Sequence, residues 1–275
     1  MSSVRLPAVA GMFYPSDPQA LSDDIDQLLK EVTSPKLVGK IVALIVPHAG
    51  YQYSGFTAAN GYKLLQTHKF ETVVIVSPSH REYFQGISVY DGSAYRTPLG
   101  NLMIDVAVRE ELIRGDSVIK ESSVGHTREH AVEVHLPFLQ KTIGDTTIVP
   151  IVMGDQKREF CFHLGEKLGD VLKSKNALII ASTDLSHYYP YEQAQLLDKI
   201  VIDDVAKFDY ERLMENLESE RTEACGGGPT VAVLVAAKKL GADSVTILHK
   251  CNSGDVTGDH CGVVGYLSAV VTKTN

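Results

Sequence analysis

No run of Lys and Arg marks any part of this 275-residue chain, whose formal charge is −8 at pH 7. A sequence-independent nucleic-acid binder needs a basic face, so that class is not expected. No stretch approaches the ~20 apolar residues of a membrane span, and the start "MSSVRLPAVAGMFYPSDP" holds no apolar core of signal-peptide length. The four cysteines (Cys161, Cys225, Cys251 and Cys261) form no paired framework, which argues against a disulfide scaffold and suits a reduced, cytoplasmic setting. Tryptophan is missing altogether. No linker, low-complexity segment or internal repeat breaks the chain. What remains is a mildly acidic sequence with 44% hydrophobic residues, enough to fold as one domain over 1–275.

Strand and helix patterns alternate through most of that length. Asp17-Pro18 followed by "QALSDDIDQLLKEV" reads as a capped helix, with Leu21, Ile25, Leu28 and Leu29 on one face. "KIVALIV", "ETVVIVS", "TTIVPIVMG" and "ALIIAS" are continuous apolar runs, the mark of strands covered on both faces. Helices are predicted over 55–69, 105–114, 129–142, 158–174, about 191–218 and 229–242. A more exposed β excursion is predicted over 86–105, and two strands close the chain at 244–250 and 262–273. The fold class is α/β: a single domain with a mostly parallel central sheet between helix layers.

Three of the apolar runs end on polar, titratable residues: His48 in "VPHAGY", His80 in "SPSH", and Asp184 and His187 in "STDLSH". Ligand crevices in open α/β sheets lie beyond the carboxyl ends of parallel strands. His48 and His80 stand 32 residues apart, about one strand-helix-strand unit, which places both at one edge if those strands are neighbours. In "EACGGGPTVAVLV", Pro229 reads as the first residue of a buried helix, with Cys225 just before it. There the helix dipole favours the thiolate. A thiolate and two imidazoles suit a late first-row metal, with a fourth position left for water or substrate. Blander roles stand beside this one: His48 as a strand cap, "SPSH" as a plain turn, Cys225 as a small buried residue, and Asp184 with His187 as a simple structural pair.

Two further clusters raise the same question. Were "EHAVEVHLPF" helical, His130 and Glu133 would share a face and His135 would point elsewhere. Either structural use or contact with the site follows, with His135 the better candidate for a pocket acid or base. Cys251, His260 and Cys261 are a weaker metal candidate, since loop residues of this kind are usually solvated. The tyrosines of "HAGYQY" and "SHYYPY" suit either a ligand pocket or ordinary half-buried packing.

Seven ordered segments carry a family resemblance: "LPAVAGMFYPSDPQAL", "PHAGYQYSG", "SPSH", "YRTPLG", "EHAVEVHLPFLQ", "STDLSHYY" and "ACGGGPT". Together they resemble the Memo family, named for mediating ErbB2-driven cell motility and having bacterial and archaeal relatives. That family is similar in fold to the class III extradiol dioxygenases, which are non-haem iron enzymes. The resemblance implies that His48, His80 and Cys225 hold one metal ion (Fe, Cu or Zn) and that Asp184 and His187 belong to the pocket. The dioxygenases use a carboxylate as third ligand; a cysteine there changes softness and redox behaviour, so their activity does not simply transfer.

Three functions follow. The first is a metal-dependent oxidoreductase in which His187 shuttles a proton and Asp184 orients it. The second is a non-catalytic adaptor binding a metal ion or a peptide, as the family's signalling members have been regarded. The third is a cysteine hydrolase with Cys225 as nucleophile, His187 as base and Asp184 as orienter. A small molecule or a peptide is the expected ligand, with neither nucleic acid nor membrane as partner.

Overall fold

The computed structural model describes residues 3–33 and 35–274. In chain order the strands are β1 (Val4–Arg5), β2 (Lys40–Val46), β3 (Thr72–Pro78), β4 (Ile87–Val89), β5 (Ala94–Thr97) and β6 (Gly100–Met103), followed by β7 (Ile119–Glu121), β8 (Thr147–Met153), β9 (Ala177–Ser182), β10 (His187–Tyr189), β11 (Ser244–Asn252) and β12 (Val263–Lys273). The helices are α1 (Pro18–Glu31), α2 (Tyr51–Tyr62), α3 (Val106–Ile113), α4 (Leu136–Thr142) and α5 (Arg158–Leu172), then α6 (Tyr191–Ala206), α7 (Tyr210–Glu218), α8 (Gly227–Lys239) and α9 (Ser253–Thr257).

The main sheet runs β10-β12-β2-β9-β3-β8-β4-β7, with β11 also paired to β12. Its centre, β2-β9-β3-β8, is parallel throughout. Both flanks turn antiparallel: β12 against β2, and β4 against β8. The sheet is therefore mixed, with a parallel heart where the apolar runs lie. The flanks break the parallel pattern because β11 and β12 are nearly consecutive, and because short β4 returns alongside β8. A separate three-stranded sheet, β1-β5-β6, ties the N-terminus to the 86–105 excursion.

Residues of the central strands alternate between two cores, one on each face. Val74 and Val76 of β3 join Ile179 and Ala181 of β9 on the side covered by α5 and α8. Val73, Ile75, Leu178 and Ile180 face the other side, where Leu21, Ile25 and Leu29 of α1 pack with α2 and α4. This period of two is the strand pleat, and both faces are dry because helices cover each. Full burial of each Val or Ile contributes about 1.5–3 kcal/mol. In α1, Asp17 accepts from Ala20 N at 2.9 Å, as an N-cap should, and Pro18 opens the helix.

Two helix readings need correction. The 129–142 helix is much shorter: a 3₁₀ turn at Glu133–His135 leads into α4, whose first turn contains Pro137. Helix α8 begins at Gly227, two residues before Pro229, because glycine backbone already adopts the helical turn there. Among the described residues, no helix is long and apolar enough to cross a membrane.

Candidate metal centre

Strands β2, β9 and β3 lie side by side and point the same way, so their C-terminal ends form one edge. β2 and β3 are not neighbours, as the 32-residue spacing suggested; β9 is inserted between them. That insertion puts Ser182, Thr183 and Asp184 between the two histidine loops. Cys225 arrives from above, just before α8. Its place is fixed by Gln156, which donates to Cys225 O and accepts from Gly228 N, each at 2.8 Å.

His48 is the hub. Its ring is buried (1% exposed), with Nε2 3.2 Å from Cys225 Sγ and 3.9 Å from Asp184 Oδ2. The His48 and His80 ring centroids are 5.0 Å apart. Candidate ligand atoms of His48, His80 and His130 all lie within 4.8 Å of one another, as do those of His48, Asp184 and Cys225. His80 and Cys225 do not fall in one such set; they meet through His48.

The hydrogen bonds fix which ring nitrogens are free. Ser182 Oγ has one proton, and it goes to the Ala131 carbonyl at 2.7 Å. The hydroxyl can therefore only accept from its two imidazole neighbours, His48 Nδ1 and His135 Nε2, both at 2.7 Å. His48 thus carries its proton on Nδ1 and presents the Nε2 lone pair to Cys225. Around His80 the partner is Glu129, which accepts from His80 N at 2.6 Å and lies 2.9 Å from its Nδ1. Burial alone would raise the Glu129 carboxyl, but bonding and charge from His80, with His130, outweigh it and hold it down at about 2. An ionised Glu129 must accept, so His80 carries a proton on Nδ1.

Burial, reinforced by the neighbouring histidines, pushes His48 well below the ordinary imidazole range. Burial likewise lowers His135 to about 3 and His130 to about 4. These are neutral rings at pH 7. Asp184 accepts from His48 N at 2.9 Å, and burial raises its carboxyl to about 7. The thiol of Cys225 corrects the thiolate expectation. Burial and the Asp184 charge push it well above its usual value, outweighing the backbone N–H groups of Asp184 and Gly226. The Cys225 sulfur lies against His48 Nε2, the nitrogen that Ser182 leaves free.

The expected Asp184–His187 pair does not form. Residues 183–187 run from β9 into β10 without a helical turn, so a spacing of three does not share a face. Asp184 turns to His48, while the half-buried His187 feels Glu223, which also accepts its backbone N–H at 2.8 Å. The hydrolase arrangement loses its base as well: the imidazole touching Cys225 is His48. His135 sits behind the site, reaching it through Ser182. His130 and Glu133 part company, His130 stacking on His80 at 4.7 Å and Glu133 binding the N-terminal segment. Cys251 contacts Thr57 and His260 stacks on Tyr191, while Cys261 is exposed; they form no cluster among the described residues. Of the tyrosines, Tyr51 is core and Tyr188 is 78% exposed.

Sequence reading missed Ser182 and Phe13, and did not place His130 at the centre. Phe13 packs on His130 at 4.8 Å. A signal existed for Ser182 alone, as the polar residue that ends an apolar strand beside two others ending the same way.

The loop carrying Asp184 is anchored by Asp198 of α6, which accepts from Ser186 N at 2.9 Å. Burial raises Asp198 to about 6, against restraining hydrogen bonds from Ser186. Between about pH 4 and 6 the folded chain therefore binds more protons than the unfolded one. This contribution is complete below pH 4 and lost as pH rises through 6. Asp198→Asn keeps the acceptor and removes the titration. Urea unfolding from pH 4 to 7 should show the wild type losing about 2 kcal/mol relative to the variant. Parallel curves would contradict the assignment.

Comparison with known proteins agrees with this architecture. A family profile described as "Memo-like protein" matches residues 5–270. A MEMO1 family protein of Methanocaldococcus jannaschii is 40% identical, covering 98% of this chain and 100% of its own. Another from Methanopyrus kandleri is 38% identical (98% and 99%), and one from Aquifex aeolicus 39% (97% and 98%). The crystal structure of an uncharacterized Escherichia coli K12 protein superposes with a TM-score of 0.55 at 17% identity, over 84% of this chain and all of that one, a likeness of fold only. With a profile match along nearly its whole length and relatives this similar, the chain belongs to the Memo family.

Proposed function

We propose that the protein holds one metal ion between His48 Nε2, His80 Nε2 and Cys225 Sγ, and that the pocket serves a metal-dependent oxidoreductase reaction. The observation that carries this reading is the oxygen facing Nδ1 of each imidazole, Ser182 Oγ at 2.7 Å from His48 and Glu129 Oε1 at 2.9 Å from His80. Ligating histidines typically donate their other ring N–H to a carboxylate or other acceptor, and here Ser182 and Glu129 are those acceptors. The donor set, two nitrogens and one sulfur, suits Zn, Cu or Fe. Such an ion supplies Lewis acidity or redox capacity to a substrate oxygen.

The chain's own residues do the rest. Ser182 and Glu129 orient the rings. Asp184, with a carboxyl near neutrality, holds or releases a proton beside His48. His187, half-buried and near Glu223, is placed to pass a proton at the rim.

Metal content of anaerobically purified wild type, His48→Ala, His80→Ala and Cys225→Ser tests the centre. Near-stoichiometric metal is expected in the wild type, with affinity at least about a hundredfold lower in each variant, since even indirect supports cost ten- to a hundredfold. A metal-free wild type whose Cys225 alkylates rapidly would sink the reading. Oxygen uptake with a catechol then separates turnover from binding, as the adaptor reading requires metal without uptake.

A further inference from the structure

A groove of about 830 Å³, lined by the chain neighbours of His80 and Glu129, lies between the N-terminal segment and the loops that follow β3 and β7. Three arginines line it, and they differ in kind. Arg5 is fully engaged: its guanidinium is paired with Glu133 and donates to the carbonyls of His126 and Glu129. Arg81 and Arg128 are exposed and have no hydrogen bond or ion pair among the described residues. The hydroxyls of Ser123 and Thr127, in the same groove, likewise make none. The one opposing carboxylate is Glu82, which accepts from Gly125 N at 2.8 Å.

Arg81 and Arg128 are also coupled to the centre by the chain itself. Arg81 follows His80 and Arg128 precedes Glu129, and those neighbours are hydrogen-bonded to each other. The positive charge of Arg81 is felt at His130. The His80 side chain itself is 27% exposed.

We propose that this groove is an anion-recognition site, in which Arg81 and Arg128, with Ser123 and Thr127, hold the phosphoryl or carboxylate group of a small-molecule substrate. Describing the ligand as substrate rests on the metal-centre reading; the anion site itself does not. Guanidinium groups form paired N–H bonds to oxyanions, and two of them suit a doubly charged group. On a chain whose net charge is −8, two guanidiniums facing one groove with a single carboxylate beside them make a local positive patch that attracts an anion.

Calorimetric titration of the full-length protein with inorganic phosphate, and separately with succinate, at constant ionic strength set by NaCl, tests the proposal. Saturable binding of at least one anion is expected. Arg81→Ala and Arg128→Ala should each weaken it, and the double variant by at least about tenfold. Preference for phosphate assigns a phosphoryl group, and preference for succinate a carboxylate. Metal content should be unchanged in the arginine variants, and anion binding unchanged in Cys225→Ser. A wild type that binds neither anion, or a double variant that binds as well as the wild type, overturns the proposal. Metal-free wild type with intact, arginine-dependent anion binding would remove the centre and leave the groove.

Discussion

Glu133→Ala is expected to cost about 3–5 kcal/mol of stability, the usual penalty for stripping one partner from a buried ion pair. Glu133 is fully buried and its carboxylate collects four donors from the N-terminal segment. Ala8 N and Val9 N bind it at 2.8 and 3.1 Å, and Arg5 Nη1 and the Tyr14 hydroxyl complete the set. Alanine would leave Arg5 charged at 5% exposure with its main counterion gone, and two amides unpaired. At this chain length the loss corresponds to roughly 10 °C in melting temperature. Replacing both partners, Arg5→Met with Glu133→Leu, should recover the part of the loss due to the unpaired buried charge, while the amides of Ala8 and Val9 stay without their acceptor. A single-variant cost below about 1 kcal/mol would show that the segment is held by something else.

The second large effect is expected at Gly226→Ala, with a cost of about 3 kcal/mol or more. The backbone angle is not the reason, since Gly226 has a φ of −107°, open to any residue. Space is. An alanine Cβ would run into the Ser182 carbonyl and come within 2.8 and 2.9 Å of Thr183 Cβ and Cα. These atoms end β9, which is hydrogen-bonded on both sides in the middle of the sheet and cannot yield. The turn would have to lift instead, drawing Cys225 Sγ away from His48 Nε2. Metal affinity should fall together with the unfolding midpoint. Gly262→Ala is the control: its nearest neighbours are at 3.5 Å or more, and a change within about 0.5 kcal/mol is expected. Equal midpoints for the two variants would refute the packing argument.

Much of this architecture is legible in the chain because the determinants are local. Apolar runs such as "KIVALIV" and "ALIIAS" became the central strands, and Asp17-Pro18 opened α1. Strand order was not legible, since nothing in β2 or β3 says that β9 will slide between them. The segment around Glu129 reads as helical by composition, yet it is bent by tertiary demands: Glu129 is drawn to His80, Glu133 to Arg5. Neither partner lies within 40 residues along the chain. Strand-end reasoning joined to the resemblance pointed to His48, His80 and Cys225; in the fold His48 lies in one ligand set with His80 and in another with Cys225. The protonation pattern that prepares those rings required the hydroxyl of Ser182, whose two imidazole contacts only coordinates reveal.

The placement of β9 between β2 and β3 has a bearing on biosynthesis. Both imidazoles leave the ribosome early, whereas the sulfur facing His48 is 177 positions further on. Until β9 has been made and inserted, the two histidine-bearing loops have no common edge. A nascent or truncated product that ends before residue 225 lacks the sulfur that faces His48, so the arrangement around that imidazole is completed only late in synthesis.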